Sequence, residues 1–253
     1  MKCASVLVVG LTLGLWCGQA RAQAAATAPH PRPLVVLDAG HGGSNTGATG
    51  AVPGLYEKQL TLTVARLVRD RVAAHGIDVI MTRERDATLT LRQRVALANQ
   101  RAADLFVSIH ANASPERVQR GFETYVLTAA GVDVDGRALR SETGTPRDAV
   151  DADTALVLDD VERGAAQWEA ATLATAVQRE LRGVRGAAGD RGVRQDAHHV
   201  LLGATMPAVL VEIGFIDHPQ EGRELADPAT QVAIADALAR AIIAACAPAA
   251  EPR

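Results

Sequence analysis

Five short apolar runs interrupt this chain, and several of the stretches between them repeat at helical period. Few folds accommodate that alternation. Leu34 to Leu37, Asp78 to Thr82, Leu105 to Ile109, Gly121 to Leu127 and Ala208 to Ile213 have the length and composition of strands. Glu57 opens a segment with Leu60, Val64, Leu67, Val68 and Val72 on one helical face, and Gly76 stops it. Thr90 and Gln93 have capping-box spacing around the period Leu91, Val95, Ala98, Ala102. Thr172 to Leu181 reads as a helix. Asp227 and Pro228 supply an N-cap and a first-turn proline for a last helix through Val232, Ala235, Leu238 and Ile242. The alternation predicts βαβ units, an α/β class and a mainly parallel sheet flanked by helices. No internal repeat is present, and a single domain over 34–246 accounts for all of it.

Thr128 to Gly164 breaks the rhythm. It carries nine acidic residues against four arginines, a balance that keeps it out of a core. So long a connection in a compact domain is usually a lid, a regulatory element or disordered; a solvated loop is the plainer alternative. Composition excludes other classes. At 48% hydrophobic the chain can bury a sizeable core, whereas a net charge of -3, with no dense Lys/Arg cluster, offers no field for nucleic acid. Aromatic content of 3% gives no stacking platform for single strands.

The amino terminus has the layout of a secretory leader: Lys2, an apolar run from Ala4 to Trp16, and a small-x-small cleavage site at Ala20-Arg21-Ala22 or Ala22-Gln23-Ala24. We therefore expect a signal peptide over 1–24, a disordered lead-in over 25–33 and a frayed tail over 247–253. The apolar run is short for a membrane span, so no stable span is expected after cleavage. Cys3 and Cys17 leave with the leader, and the mature chain keeps Cys246 alone, without an internal disulfide.

Four residues stand where chemistry is expected. His41 lies among glycines in Leu37-Asp38-Ala39-Gly40-His41-Gly42-Gly43, at the carboxyl end of a strand, where open α/β sheets tend to place their sites. A phosphate cradle or an ordinary loop would look similar. His110 also follows a strand, and Glu57 begins a helix. Two imidazoles and a carboxylate, with a fourth position left to water, are a ligand set of catalytic zinc. Glu57 could instead serve the helix dipole, and His110 could be a satisfied strand-end histidine. Glu212 interrupts an apolar strand, where an unpaired carboxylate costs several kcal/mol or takes a raised pKa. It needs a partner, either a metal-bound water or a basic side chain; a structural salt bridge with an arginine would serve. His198 and His199 could line a cleft. His30, His75 and His218 carry less.

Taken together, LDAGHGG with His41, GLYEKQLTL with Glu57, TRERDATLTLRQRVALAN, SIHANAS with His110, GFETYVL, RGVRQ and MPAVLVEIGFIDHPQE with Glu212 resemble the zinc-dependent N-acetylmuramoyl-L-alanine amidases of the type 3 family. The resemblance covers about Leu34 to Ala245. It implies a twisted sheet of about six strands, one zinc ion on His41, Glu57 and His110, and Glu212 as the catalytic carboxylate. The implied substrate is peptidoglycan, cut between the lactyl group of N-acetylmuramic acid and L-alanine of the stem peptide, in cell-wall remodelling or daughter-cell separation. The implied place is the periplasm or cell envelope. Regulated members carry an insertion over the zinc; 128–164 occupies the corresponding place, with Asp159 or Asp160 near the metal and a protein activator as the partner that acts on it. Two rival readings use the same residues: a zinc peptidase on wall peptides, and a non-catalytic peptidoglycan-binding protein.

Overall fold

Six strands form one sheet in a computed structural model that describes residues 32–127, 152–196 and 200–247, with side chains from residue 164 onward in the second segment. The leader, most of the lead-in and tail, residues 128–151, the side chains of Asp159 and Asp160, and His30, His198 and His199 lie outside that description. The strands are β1 (Leu34–Ala39), β2 (Asp78–Met81), β3 (Leu105–Asn112), β4 (Phe122–Leu127), β5 (Asp190–Asp196) and β6 (Ala208–Phe215). They lie in the order β2-β1-β3-β6-β4-β5. The first four of that order are mutually parallel, and β4 and β5 run the other way. The helices are α1 (Glu57–Ala73), α2 (Leu91–Gln100), α3 (Ala152–Arg185), α4 (Glu221–Ala226) and α5 (Pro228–Ala245). The α/β class and mainly parallel sheet follow the sequence reading.

The predicted caps are present. Thr90 Oγ1 accepts from the Gln93 amide at 3.2 Å while Gln93 Oε1 accepts from the Thr90 amide at 2.9 Å, and Asp227 Oδ2 accepts from the Thr230 amide at 3.2 Å. Two elements differ from expectation. β5 has no apolar alternation to announce it, because it is a half-exposed edge strand held by pairing with β4. α3 begins at Ala152, inside the stretch read as a connection, and runs for 34 residues. Its buried stripe of Leu173, Ala174, Val177 and Leu181 is the part that periodicity reveals; the acidic residues of its first turns mask the rest.

Strand alternation feeds two unequal cores. Val35, Leu37, Val107, Ile109, Val209 and Val211 join α1, α3 and α5 on one face. Leu34, Val36, Phe106, Ala208 and Leu210 pack on the other face under Val95 and Ala98 of α2, with Leu201 and Met206. α5 has the length and composition to cross a membrane, yet its Ile234, Leu238 and Ile242 are buried against α1 and α3. Among the described residues a single short helix covers the second face, so the carboxyl ends of its parallel strands are left open.

Beneath that opening sits a fully buried charge. Asp38 accepts from Arg94 Nη1 at 2.6 Å, Thr82 Oγ1 at 2.6 Å and Ser108 Oγ at 2.7 Å. One carboxylate thus ties β1 to the end of β2, to β3 and to α2. Arg94→Ala leaves it without its counter-ion, and removal of one member of a buried pair costs about 3–5 kcal/mol. Urea unfolding should show that loss; a shift below about 1 kcal/mol would mean that the pair does not anchor the strands.

Candidate metal centre

The loop after β1 is held by carbonyl capture. Arg83 donates to Ala39 O at 2.8 Å and Gly40 O at 2.7 Å, and Arg94 donates to Ala39 O at 2.8 Å and His41 O at 2.7 Å. His41 adopts a left-handed backbone, φ 60°, a conformation that costs energy and persists only where surroundings fix it. The strained turn aims the imidazole back across the sheet edge. Two glycines make room. A Cβ on Gly40 would lie 2.4 Å from the His110 ring, and one on Gly47 would lie 2.6 Å from the Glu57 carboxylate.

The candidate atoms of His41, Glu57 and His110 all lie within 4.8 Å of one another. His41 Nε2 is 3.0 Å from Glu57 Oε2 and His110 Nδ1 is 2.8 Å from Oε1, with the two rings edge to face at 4.9 Å. Glu57 stands in the first turn of α1, where the helix dipole also favours it. Its carboxylate is buried and accepts from the backbone amides of Ala48 and Ala111 at 2.9 and 3.1 Å. Burial by itself would raise its pKa; the two histidines outweigh that and hold it well below the usual carboxylate range. Burial likewise disfavours a charged His41, but the bond and charge of Glu57 raise that ring above the ordinary histidine value. Asn45 Oδ1 accepts from His41 Nδ1 at 2.9 Å, which leaves Nε2 as the nitrogen that faces Glu57. Deprotonated, these three residues form a nitrogen, nitrogen, oxygen donor set with both imidazoles part-exposed, which suits a catalytic zinc ion.

Glu212 is one strand away, paired in register with His110. Its Oε2 is sealed from solvent and has no hydrogen-bond partner among the described residues. No arginine neutralises it there; the nearby Arg191 and Arg194 engage Glu123 instead. Burial, followed by the charges of Glu57 and Glu123, pushes its pKa well above the usual value. A carboxyl with one oxygen buried and unpartnered, next to three potential ligands, has the character of a group awaiting a water or an ion.

The remaining histidines are structural where described. His218 Nδ1 accepts from the amides of Gln220 and Glu221, and His75 Nδ1 donates to Arg71 O. Sequence reasoning passed over Asp38, Arg83, Arg94 and Asn45. Two of them left a signal: Asp38 ends an apolar strand just as Glu212 interrupts one, and Arg94 falls on the apolar stripe of α2, three residues after Leu91 and four before Ala98.

The sequence profile of a family described as N-acetylmuramoyl-L-alanine amidase matches residues 35–244. The N-acetylmuramoyl-L-alanine amidase AmiA of Escherichia coli (strain K12) is 34% identical over 218 residues, 83% of this chain and 75% of that protein. The solved N-acetylmuramoyl-L-alanine amidase AmiC2 of Nostoc punctiforme superposes with a TM-score of 0.64 at 28% identity, covering 84% of this chain and 96% of that one. The CwlD amidase from Clostridioides difficile, solved in complex with the GerS lipoprotein, does so at 0.60 and 27%, covering 85% and 98%. The chain therefore belongs to the type 3 family of N-acetylmuramoyl-L-alanine amidases.

Proposed function

We propose that this enzyme hydrolyses peptidoglycan at the amide between the lactyl group of N-acetylmuramic acid and L-alanine of the stem peptide. In this reading His41, Glu57 and His110 hold one zinc ion and Glu212 is the catalytic carboxylate. The observation that carries it is the partnerless Glu212 Oε2 on the strand next to the clustered donor set. Zinc bound there would supply a Lewis acid for the lactyl carbonyl and an acidified water as nucleophile.

The chain's own groups do the rest. Asn45 fixes the His41 tautomer, and the Ala48 and Ala111 amides fix the Glu57 carboxylate. Glu212 takes the proton from the attacking water and returns it to the leaving amine of L-alanine. Export through the leader at 1–24 would place the enzyme in the periplasm or cell envelope, where its substrate is.

The insertion over 128–164 would restrict access, and a protein activator would relieve it; CwlD, solved with a lipoprotein, offers a precedent for a partner. Leu127 leaves β4 at the end of the sheet opposite Glu212, so such a cover must double back to reach the donor set.

Digestion of purified peptidoglycan should release intact stem peptides with a new L-alanine amino terminus and should stop with a chelator. Peptide left on the glycan would favour the zinc peptidase, and no turnover under any condition would favour the binding protein. Glu212→Gln should keep its zinc by metal analysis and lose about 10²–10⁴-fold in rate; near-parental turnover would remove Glu212 from the mechanism. Asn45→Ala should weaken zinc about 10–100-fold in a competition titration, and unchanged affinity would show that the tautomer is set elsewhere. Deleting Gly131 to Asp153 should raise the rate on purified peptidoglycan; an unchanged or lower rate rules the cover out.

A further inference from the structure

The metal-centre row does not stop at Glu212. Glu123 of β4 is the cross-strand partner of Glu212, and directly paired residues share a sheet face. His110, Glu212 and Glu123 therefore form a line across β3, β6 and β4. At its far end, on β5, two guanidiniums converge on one carboxylate oxygen: Arg191 Nε is 3.0 Å and Arg194 Nε 3.4 Å from Glu123 Oε2. The other oxygen accepts from Asn112 Nδ2 at 2.9 Å and the Tyr125 hydroxyl at 3.0 Å. Glu123 is only 2% exposed. One buried negative charge with two amide and hydroxyl donors needs a single counter-ion, so the second guanidinium is in excess.

The way these arginines are used sets them apart. Arg94 and Arg83 direct their terminal nitrogens to backbone carbonyls and Asp38, and Arg185 directs its own to Glu221 and Glu224. Arg191 and Arg194 touch Glu123 through Nε, and among the described residues their terminal nitrogens bond nothing. Their side chains are 30% and 50% exposed. Arg191 also lies over the Phe215 ring, 5.0 Å from its centre, which fixes it in place. These are ordered, water-facing, two-pronged donors, the geometry that recognises a carboxylate.

We propose that Arg191 and Arg194 form the subsite that grips a free carboxylate of the stem peptide, beyond the bond being cut. The inference rests on the amidase reading. From β3 to β5 is three strand spacings, roughly 14 Å, the reach of about four extended residues. With L-alanine at the metal centre, the acid groups of the second and third stem residues fall within that span. A stem amidated at the gripped position presents a neutral group and loses the charge-assisted pair.

The test uses zinc-loaded protein and muropeptide monomers with free stem carboxylates, amidated at the second residue, or amidated at the third. KM for the free acid should be lower by about tenfold than for at least one amide, as expected for a charge-assisted pair; which amide it is identifies the gripped position. Arg191→Gln and Arg194→Gln should each raise KM for the free acid and narrow that ratio toward one, and Arg194→Lys should restore part of it. Equal KM values for acid and both amides in the parent overturn the subsite while leaving the amidase reading intact. Variants that lower kcat alike on every substrate also overturn it, assigning the arginines to the support of Glu123. Failure of both the parent and the Gly131 to Asp153 deletion to cleave any of the three sinks the amidase reading and takes the subsite with it.

Discussion

Everything at the open end of the sheet rests on the buried Asp38 beneath it. Three donors from three elements converge on that carboxylate, and the arginine that neutralises it also captures the carbonyls of Ala39 and His41. A buried pair is poor evidence for net stability, because desolvation offsets most of the Coulombic gain. Its value here is geometric. It fixes where β1 ends and holds a histidine in a left-handed turn that the residue would leave if released. Arg83 repeats the capture on Gly40 and reaches Lys58 O of α1, so the loop that carries His41 is tied to the helix that carries Glu57.

The sheet's asymmetry turns that anchoring into a site. Three helices bury one face completely, whereas α2 is too short to cover the other. His110 and Glu212 can therefore lie on a rigid strand surface at the end of the sheet that this short helix leaves uncovered. Supporting carboxylates by backbone amides and rings by side-chain oxygens keeps each functional group in one orientation before anything binds. Like charges gathered from α1, β6 and β4 are tolerated because each is handled differently: Glu57 by imidazoles, Glu123 by arginines, and Glu212 by raised proton affinity.

Much of this was legible in the residues. Apolar runs and caps predict β1, β3, β6, α1, α2 and α5, because each is written in local periodicity or in a capping residue. The anomaly of a carboxylate inside Ala208 to Ile213 points to Glu212 without any structure. β5 was not legible: an edge strand with a polar, glycine-containing sequence owes its existence to its neighbour. Nor was the start of α3, where acidic turns hide the helical stripe. Whether His41, Glu57 and His110 meet was beyond spacing alone, since residues drawn from a loop, a strand and a helix leave no compact signature; only the family resemblance joined them. Asp38 could have been singled out by the same logic as Glu212, with Arg94 as its natural partner.

α3 runs antiparallel to β4, with Gln178 bonded to Thr124 near the open end and Gln167 Nε2 donating to Leu127 O at the other. Fifteen residues of helix precede Gln167 back to Ala152, about 22 Å at the usual rise. The helix thus continues past Leu127, toward the end of β4 that is farther from Glu212. Gln178 spans β4 and β5, since the same amide that meets Thr124 also holds Asp190 at the head of the arginine strand. One side chain of α3 thus sets the register of the two strands that carry Glu123, Arg191 and Arg194.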